Sequence, residues 1–233
     1  MPVTPPVFEL AGTQWPAVEH GPRRLLVVPT GSLEQHGPHL PLDTDTRIAV
    51  AVARRACAGR PGVALAPAVS IGASGEHADF PGTLSIGTEA LTACLIELGR
   101  HASQDWPALL LVNGHGGNAA AIEAAIGRLR YEGRAAHAWH AGLPGADAHA
   151  GRFETSVMLA LDPAAVRLDT AEAGETRPVS QVMPVLRERG VRAVSGNGVL
   201  GDPAGASAAE GEVLLARLTQ GLNEAADRVL AGP

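Results

Sequence analysis

Acidic and imidazole side chains crowd the segment that follows the first long apolar run of this chain. From Glu34 to Asp45 there are three carboxylates, two imidazoles and no Lys or Arg to neutralise them. Because clustered carboxylates repel one another, we expect a cation among them, and a divalent metal is the simplest one. Glu34 and His36 are two residues apart, so an extended segment points both to one side. Taken alone, a segment of this kind is more often a polar surface loop of unrelated acids.

A second segment of the same kind favours the metal site. An apolar run over residues 108–112 ends at Asn113 and Gly114, and His115 follows directly. In open α/β sheets, ligands bind outside the carboxyl ends of the strands. A lone Gly-rich turn with one His is more often a packing or phosphate-binding turn, but two strand ends that both carry metal-type ligands predict one metal site.

Apolar runs and helical periodicity predict the elements that position these residues. The length of 233 residues fits one α/β domain, residues 1–233, with a sizeable core. Residues 1–22 are expected to form an irregular arm, and residues 163–205, which have little periodicity, are expected to be loops. The predicted strands are residues 24–29, 63–69, 107–112 and 134–140, and the predicted helices are residues 46–58, 88–103, 118–132 and 207–230.

Composition excludes several classes of function. The net charge of -6 argues against a nucleic-acid partner, and no apolar run approaches the length that spans a bilayer. The first ten residues lack the basic start and apolar core of a signal peptide, so we expect a cytoplasmic protein with no membrane partner. All 18 basic residues are Arg, which excludes a Schiff-base lysine.

Three further residues are candidates for a site. His77 lies in a Gly-rich polar stretch and is expected to bind substrate or to support a metal ligand, with an ordinary surface histidine as the alternative. His149 and Glu154 flank the start of a predicted helix. Two residues five apart on an ideal helix point about 140° away from each other, so His149 and Glu154 would not share a face. We therefore expect His149 to lie in the preceding loop. Glu154 either points inward from the first turn or is an exposed acid favoured by the helix dipole.

Four of these segments, in the same order, resemble the signatures of the creatininase (creatinine amidohydrolase) family. They are residues 31–41, 80–83, 113–118 and 149–156. The resemblance extends over about residues 24 to 215. It implies a three-layer α/β/α fold with a mostly parallel central sheet, a pair of divalent metal ions, hydrolysis of a cyclic or linear amide, and a hexamer-like homo-oligomer.

The resemblance also implies roles for single residues. Creatininase itself has an acidic ligand two residues after the histidine that matches His115, and this chain has Gly117 there. Glu154 is the expected replacement, and His149 matches a histidine that handles a proton during hydrolysis. The implied metal ligands, with Asp45 bridging the two ions, are Glu34, His36, Asp45 and His115.

The expected substrate follows from two glycines. Creatininase has bulky aromatic residues over a small flat substrate, where this chain has Gly116 and Gly145. A wider pocket is therefore expected, and the chain resembles most the branch that processes the mycofactocin precursor peptide. That branch releases a C-terminal Val-Tyr-derived dipeptide. The residues expected to contact substrate are His77, Gly116, Gly117 and Asn118.

These residue types suit metal-dependent hydrolysis of a peptide or a small cyclic amide. Two divalent ions polarise an amide carbonyl and lower the pKa of water, and mixed His and carboxylate ligands fit Zn, Fe(II) or Mn. His149 or Glu154 then carries a proton to the leaving amine. A nucleotide-binding module with residues 113–118 as its phosphate loop is disfavoured, since G-x-G-x-x-G and a Walker lysine are both absent. A metal-loaded subunit that mainly assembles with other biosynthetic proteins is a third reading.

Overall fold

One five-stranded sheet lies at the centre of the computed structural model, which describes residues 6–232. The strands run in the order β1-β3-β2-β4-β5, and every pairing is parallel. The mostly parallel sheet expected from the resemblance is therefore confirmed. The strands are β1 Phe8–Glu9, β2 Leu25–Thr30, β3 Val63–Leu65, β4 Ala108–Asn113 and β5 Ala135–His140.

Helices connect and cover these strands. No helix in the described part of the chain is both long and apolar enough to cross a bilayer. Over residues 6–232 the α-helices are α1 Trp15–His20, α2 Thr44–Cys57, α3 Gly87–Ala102, α4 Ala119–Tyr131, α5 Arg152–Leu161, α6 Val179–Arg189 and α7 Ala208–Ala231.

Alternating side chains of β2 and β4 divide the core into two layers, because successive side chains of a strand point to opposite faces. Leu25 and Val27 pack in one cluster with α2, α5 and α7. Leu26 and Val28 pack in the other cluster with α3 and α4. The predicted three-layer α/β/α arrangement is confirmed, and burial on both faces explains why these strands read as continuous apolar runs.

Two segments are more regular than the sequence predicts. Residues 163–205, predicted to be loops, contain α6, in which only Val182 is buried and Pro184 lies in the interior. A helix with one buried residue and an internal proline has almost no periodic signal. The predicted irregular arm contains β1 and the six-residue α1, both too short for periodicity to reveal; its residues 1–5 lie outside the described part.

Helices α5 and α7 approach closely at Gly211. A Cβ at this position would lie 1.9 Å from the carbonyl oxygen of Ser156, which is a backbone atom. Ser156 is two residues beyond Glu154 on α5, so this contact helps to fix the helix that carries Glu154.

Substitution of this glycine is expected to destabilise the protein. Gly211→Ala should lower the free energy of unfolding by about 1–3 kcal/mol, because the added methyl group overpacks the α5–α7 contact. Gly127→Ala is the matched control, since Gly127 lies on an exposed face of α4 with nothing within 4 Å of its Cβ position. The control should stabilise by up to about 1 kcal/mol, the difference in helix propensity. Urea denaturation measures both, and equal effects would contradict the close contact.

Candidate metal centre

The carboxyl ends of β2 and β4 bring the predicted ligands together, as neighbouring parallel strands require. Glu34 and His36 follow the end of β2, and His115 follows the end of β4. Asp45 lies in the first turn of α2, and Glu154 lies in the first turn of α5. All five side chains converge on one side of these strand ends.

Glycine in the turns after both strands lets α2 begin against the sheet. A Cβ at Gly114 would lie 2.5 Å from the carbonyl oxygen of Asp45. A Cβ at Gly31 would lie 2.2 Å from the hydroxyl of Thr46. The start of α2, and with it Asp45, is therefore held directly between the two strand ends.

Within residues 6–232, three groups of side chains have ligand atoms within 4.8 Å of one another. Glu34, His36 and Asp45 each belong to two of these groups, and Asp45 is the one predicted to bridge two ions. The groups are Glu34 with His36 and His149, Glu34 with Asp45 and His115, and His36 with Asp45 and Glu154.

His36 has one ring nitrogen available to a cation. Its Nδ1 lies 3.1 Å from the carbonyl oxygen of Glu34 and donates there, which leaves Nε2 to donate to Asp45 Oδ1 or, when deprotonated, to bind a cation. Nε2 lies 3.1 Å from Asp45 Oδ1 and 3.9 Å from Glu154 Oε2. Burial lowers the pKa of His36, but the carboxylates around it, led by Asp45, raise that pKa to about 10. This position therefore favours positive charge, which a metal ion supplies as well as a proton does.

The surroundings of the Glu34 carboxylate show whether these residues fit a metal ion. Its side chain is fully buried, and within residues 6–232 neither carboxylate oxygen accepts a hydrogen bond. His77 Nε2 and His115 Nε2 lie 3.2 and 3.1 Å from these oxygens without hydrogen-bond geometry. A buried carboxylate without a partner is costly. Atoms that converge without bonding one another fit a shared cation, so the donor set fits a divalent metal.

Asp45 is ionised and held in place. The hydroxyl of Ser32 donates to its Oδ2 at 2.7 Å, and His115 Nδ1 lies 3.2 Å from the same oxygen. Burial raises the pKa of Asp45, but the neighbouring imidazoles of His36 and His115 outweigh burial and hold that pKa well below its usual value. Ser32 was not predicted as a site residue, and its hydroxyl orients a metal-type ligand.

Gln35 joins two loops of the site and was not predicted. Its side-chain nitrogen donates to the carbonyl oxygen of Gly198 at 3.0 Å and to His77 Nδ1 at 2.8 Å. Its side-chain oxygen accepts the N–H of Gly37 at 2.8 Å. With Nδ1 of His77 accepting, the proton of this ring is on Nε2, which lies 3.2 Å from Glu34 Oε1 but outside hydrogen-bond geometry. The only sequence feature that could have marked Gln35 is its position between the predicted ligands Glu34 and His36.

His149 presents a free nitrogen to the cluster. Its Nε2–H donates to the carbonyl oxygen of Gln35 at 2.8 Å, so Nδ1 is unprotonated and lies 3.8 Å from Glu34 Oε1. Burial, with a smaller contribution from His36, lowers the pKa of His149 to about 3. The ring is therefore neutral at physiological pH and accepts a proton at Nδ1. His149 lies in the loop before α5, as the sequence predicts.

Glu154 enters the cluster from the first turn of α5. Its Oε2 accepts the N–H of Ala150 at 2.6 Å. Ala150 has a φ of 53°, a left-handed conformation that turns the chain between His149 and the helix. Burial raises the pKa of Glu154 to about 7, against the opposing effect of His36. The inward orientation of Glu154, one of two open alternatives in the sequence, is the one found.

A cavity of about 810 Å³ opens beside the cluster. His77, Gly116 and Gly117, which are predicted to contact substrate, line it together with Met183 and Leu186 of α6. A second cavity of about 750 Å³, lined in part by Gly145, adjoins the first. The two cavities share the lining residues Ala148, Val179 and Leu200.

Asn118, also expected to contact substrate, is placed elsewhere. Its side chain is fully buried and does not line the cavity. Its amide oxygen accepts the N–H of Ala73 at 2.8 Å, and its amide nitrogen donates to the carbonyl oxygen of Gly31 at 2.9 Å and to Asn113. Asn118 therefore ties the loops around the site together.

Known proteins resemble this chain over nearly its whole length. The family model described as creatinine amidohydrolase matches residues 11–226. A mycofactocin precursor peptide peptidase of Mycolicibacterium smegmatis is 51% identical over 224 residues, covering 94% of this chain and 89% of that protein. A creatinine amidohydrolase of Pseudomonas putida is 32% identical over 236 residues, covering 86% of this chain and 88% of that protein.

Solved creatininase structures share the fold. A mutant creatininase has a TM-score of 0.78 at 29% identity, covering 93% of this chain and 96% of that chain. A mutant creatininase of the Zn-Zn type has a TM-score of 0.78 at 28% identity, and a creatininase with Mn has 0.73 at 28%; each covers 94% of this chain and 97% of that chain.

Removal of metal is expected to destabilise the protein. A metal at about 100 times its Kd stabilises by about 2.7 kcal/mol, or about 5–10 °C in Tm for a chain of this size. Chelator should lower the Tm, and added Zn²⁺ or Mn²⁺ should restore it. Glu34→Gln should lose this response because the buried carboxylate is gone. Glu123→Gln, at an exposed position of α4, should retain it. A wild-type Tm that ignores both chelator and metal would contradict the metal centre.

Proposed function

Because the chain belongs to the creatininase (creatinine amidohydrolase) family of metal-dependent amidohydrolases, we propose that it cleaves the modified mycofactocin precursor peptide and releases a C-terminal Val-Tyr-derived dipeptide. The identity of 51% to a peptidase of that name supports this substrate over creatinine, for which the identity is 32%. The observation that carries the proposal is the metal-type cluster at the wall of one cavity, which a second cavity adjoins. A cavity of about 810 Å³ lies toward the upper end of the range for ligand sites and is far larger than a creatinine-sized ligand needs.

Two divalent ions, Zn, Mn or Fe(II), are proposed for each subunit. One would be held by Glu34, Asp45 and His115, and the other by His36, Asp45 and Glu154. When bound, such ions polarise the amide carbonyl and lower the pKa of water. Glu154 is assigned to the second ion, because its carboxylate, His36 Nε2 and Asp45 form one group of converging ligand atoms.

His149 is the proposed proton carrier. Its unprotonated Nδ1 faces the cluster, and its low pKa keeps it neutral until the reaction delivers a proton. The ring passes that proton to the leaving amine nitrogen. The carbonyl oxygen of Gln35, which accepts the Nε2–H, stabilises the charged ring while it holds the proton.

The cavity walls leave room for the main chain of a peptide substrate. A Cβ at Gly116 or Gly145 would meet nothing within 4 Å, so these positions leave open space where larger side chains would stand. A nucleotide is a poor alternative ligand, because the turn over residues 113–118 faces the carboxylates of Glu34 and Asp45, which repel phosphate.

Mass spectrometry of reaction mixtures tests the proposal. The protein, loaded anaerobically with Fe(II), Zn or Mn, receives the modified precursor peptide in one tube and creatinine in another. The expected result is loss of a dipeptide-sized C-terminal fragment from the peptide, abolished by chelator. Conversion of creatinine alone would overturn the peptide assignment. No conversion of either substrate by metal-loaded protein would also overturn it and favour an assembly role.

Variants in the same assay separate the proposed roles. His149→Asn should retain metal and lower the cleavage rate by about 10²–10⁴-fold, the usual contribution of a general acid–base group. His101→Asn, at an exposed position of α3, is the matched control and should cleave at the wild-type rate. Asp45→Ala should lose both metal and cleavage. Full activity of metal-free Asp45→Ala would sink the proposal.

We also propose a cytoplasmic homo-oligomer with a hexamer-like number of subunits. Trp15 is 72% exposed and Tyr131 is 85% exposed, and exposed aromatic residues are typical of subunit contacts. Light scattering of the eluted protein should give about six times the chain mass of 23.8 kDa. A single-chain mass at micromolar concentration would contradict this assembly.

A further inference from the structure

The carboxylate of Glu76 fills the space in front of Gly117. A Cβ built at Gly117 would lie 2.4 Å from Glu76 Oε1 and 2.4 Å from His115 Nε2. A side chain at residue 117 would therefore collide with Glu76, with His115 and with the backbone carbonyl oxygen of Ala73, which lies 2.5 Å from the Cβ position. Glu76 thus reaches, from a loop far away in the sequence, the same point that a side chain on residue 117 would reach.

That point lies at the edge of one group of metal-type ligands. Glu76 Oε1 lies 3.5 Å from His115 Nε2, and Glu34 Oε2 lies 3.1 Å from the same nitrogen. This nitrogen carries at most one proton, and the carbonyl oxygen of Ala73, at 3.1 Å, accepts it. Oxygens of two carboxylates and one carbonyl group therefore surround a nitrogen that can donate only one proton.

Glu34 provides the independent indication of a cation at this point. Its side chain is fully buried, and within residues 6–232 its two oxygens accept no hydrogen bond. A second carboxylate beside such a group adds repulsion unless both share a positive ion. A cation bound at this point would relieve that repulsion and account for the position of Glu76.

The loop that carries Glu76 is fixed from the other side by the end of α6. Gly190, which ends α6, has a φ of 75°, a conformation that favours glycine. A Cβ on Gly190 would lie 2.9 Å from the carbonyl oxygen of Glu76. The turn after α6 thus packs directly on the backbone of Glu76 and leaves its side chain directed at His115.

We propose that Glu76 is a further ligand of the divalent ion held by Glu34, Asp45 and His115, and that it closes this ion toward the substrate cavity. With Glu76 the ion has three carboxylates and one imidazole. Oxygen-rich sites suit Mn²⁺, whereas imidazole-rich sites suit Zn²⁺, so Glu76 favours Mn²⁺ at this position. The inference rests on the proposed metal binding at this cluster and does not depend on the identity of the substrate.

Metal titration of Glu76→Gln tests the inference without an activity assay. Metal-free protein is titrated with Mn²⁺ and separately with Zn²⁺, followed by calorimetry and, for Mn²⁺, by electron paramagnetic resonance. Mn²⁺ affinity at one of the two sites should fall at least about 10-fold, since even groups that only support ligands contribute that much. Zn²⁺ affinity should fall less. Asp79→Asn, at an exposed position of the same cavity wall, is the matched control and should bind Mn²⁺ like wild type.

A second variant keeps the carboxylate but shortens the side chain. Glu76→Asp should bind Mn²⁺ more tightly than Glu76→Ala, because it retains a negative charge in the loop beside His115. Circular dichroism checks that each variant is folded. Wild-type Mn²⁺ affinity and an unchanged resonance spectrum in Glu76→Gln would overturn the inference and leave the proposed function intact. A wild-type protein that binds no divalent metal would overturn both.

Discussion

Charge balance around the buried carboxylate of Asp45 is the constraint on which the rest of the site depends. Asp45 is held between two strand ends, and Glu34 and Glu154 lie on either side of it within the reach of single ions. Imidazole rings alternate with these acids, so each carboxylate has a neighbour that is positive only when protonated. Such a cluster stays charged in a dry interior only with added positive charge, and divalent ions provide it without proton exchange.

The scaffold makes this cluster possible by rigid packing. The strands that end at the site are buried on both faces. The helices that pack on these faces hold the strand ends in fixed positions relative to one another. Glycines after both strands allow α2 to start in contact with the sheet, so Asp45 needs no long loop to reach the centre. The ligands therefore lie on short, well-packed connections, which is what a site with close geometric tolerance requires.

The sequence predicts those parts of the site that are encoded locally. Glu34, His36 and His115 follow apolar runs directly, so strand-end logic alone brings them together. Gln35 and Glu76 are not predicted, because their roles arise from contacts between loops that are distant in the sequence. Asn118 illustrates the opposite error: its position beside His115 suggests a ligand contact, but tertiary hydrogen bonds use its whole amide. Helix α6 is not predicted because only Val182 is buried in the core, while Met183 and Leu186 line the cavity.

The crowding at residue 117 has an evolutionary consequence. A Cβ there collides with the backbone carbonyl of Ala73 and with His115 as well as with Glu76, so loss of the Glu76 carboxylate alone does not make room for an acid at this position. A lineage that moves the acid from one loop to the other must therefore also shift the backbone around Ala73. The transfer needs several coupled changes, so the two arrangements are not joined by single neutral steps.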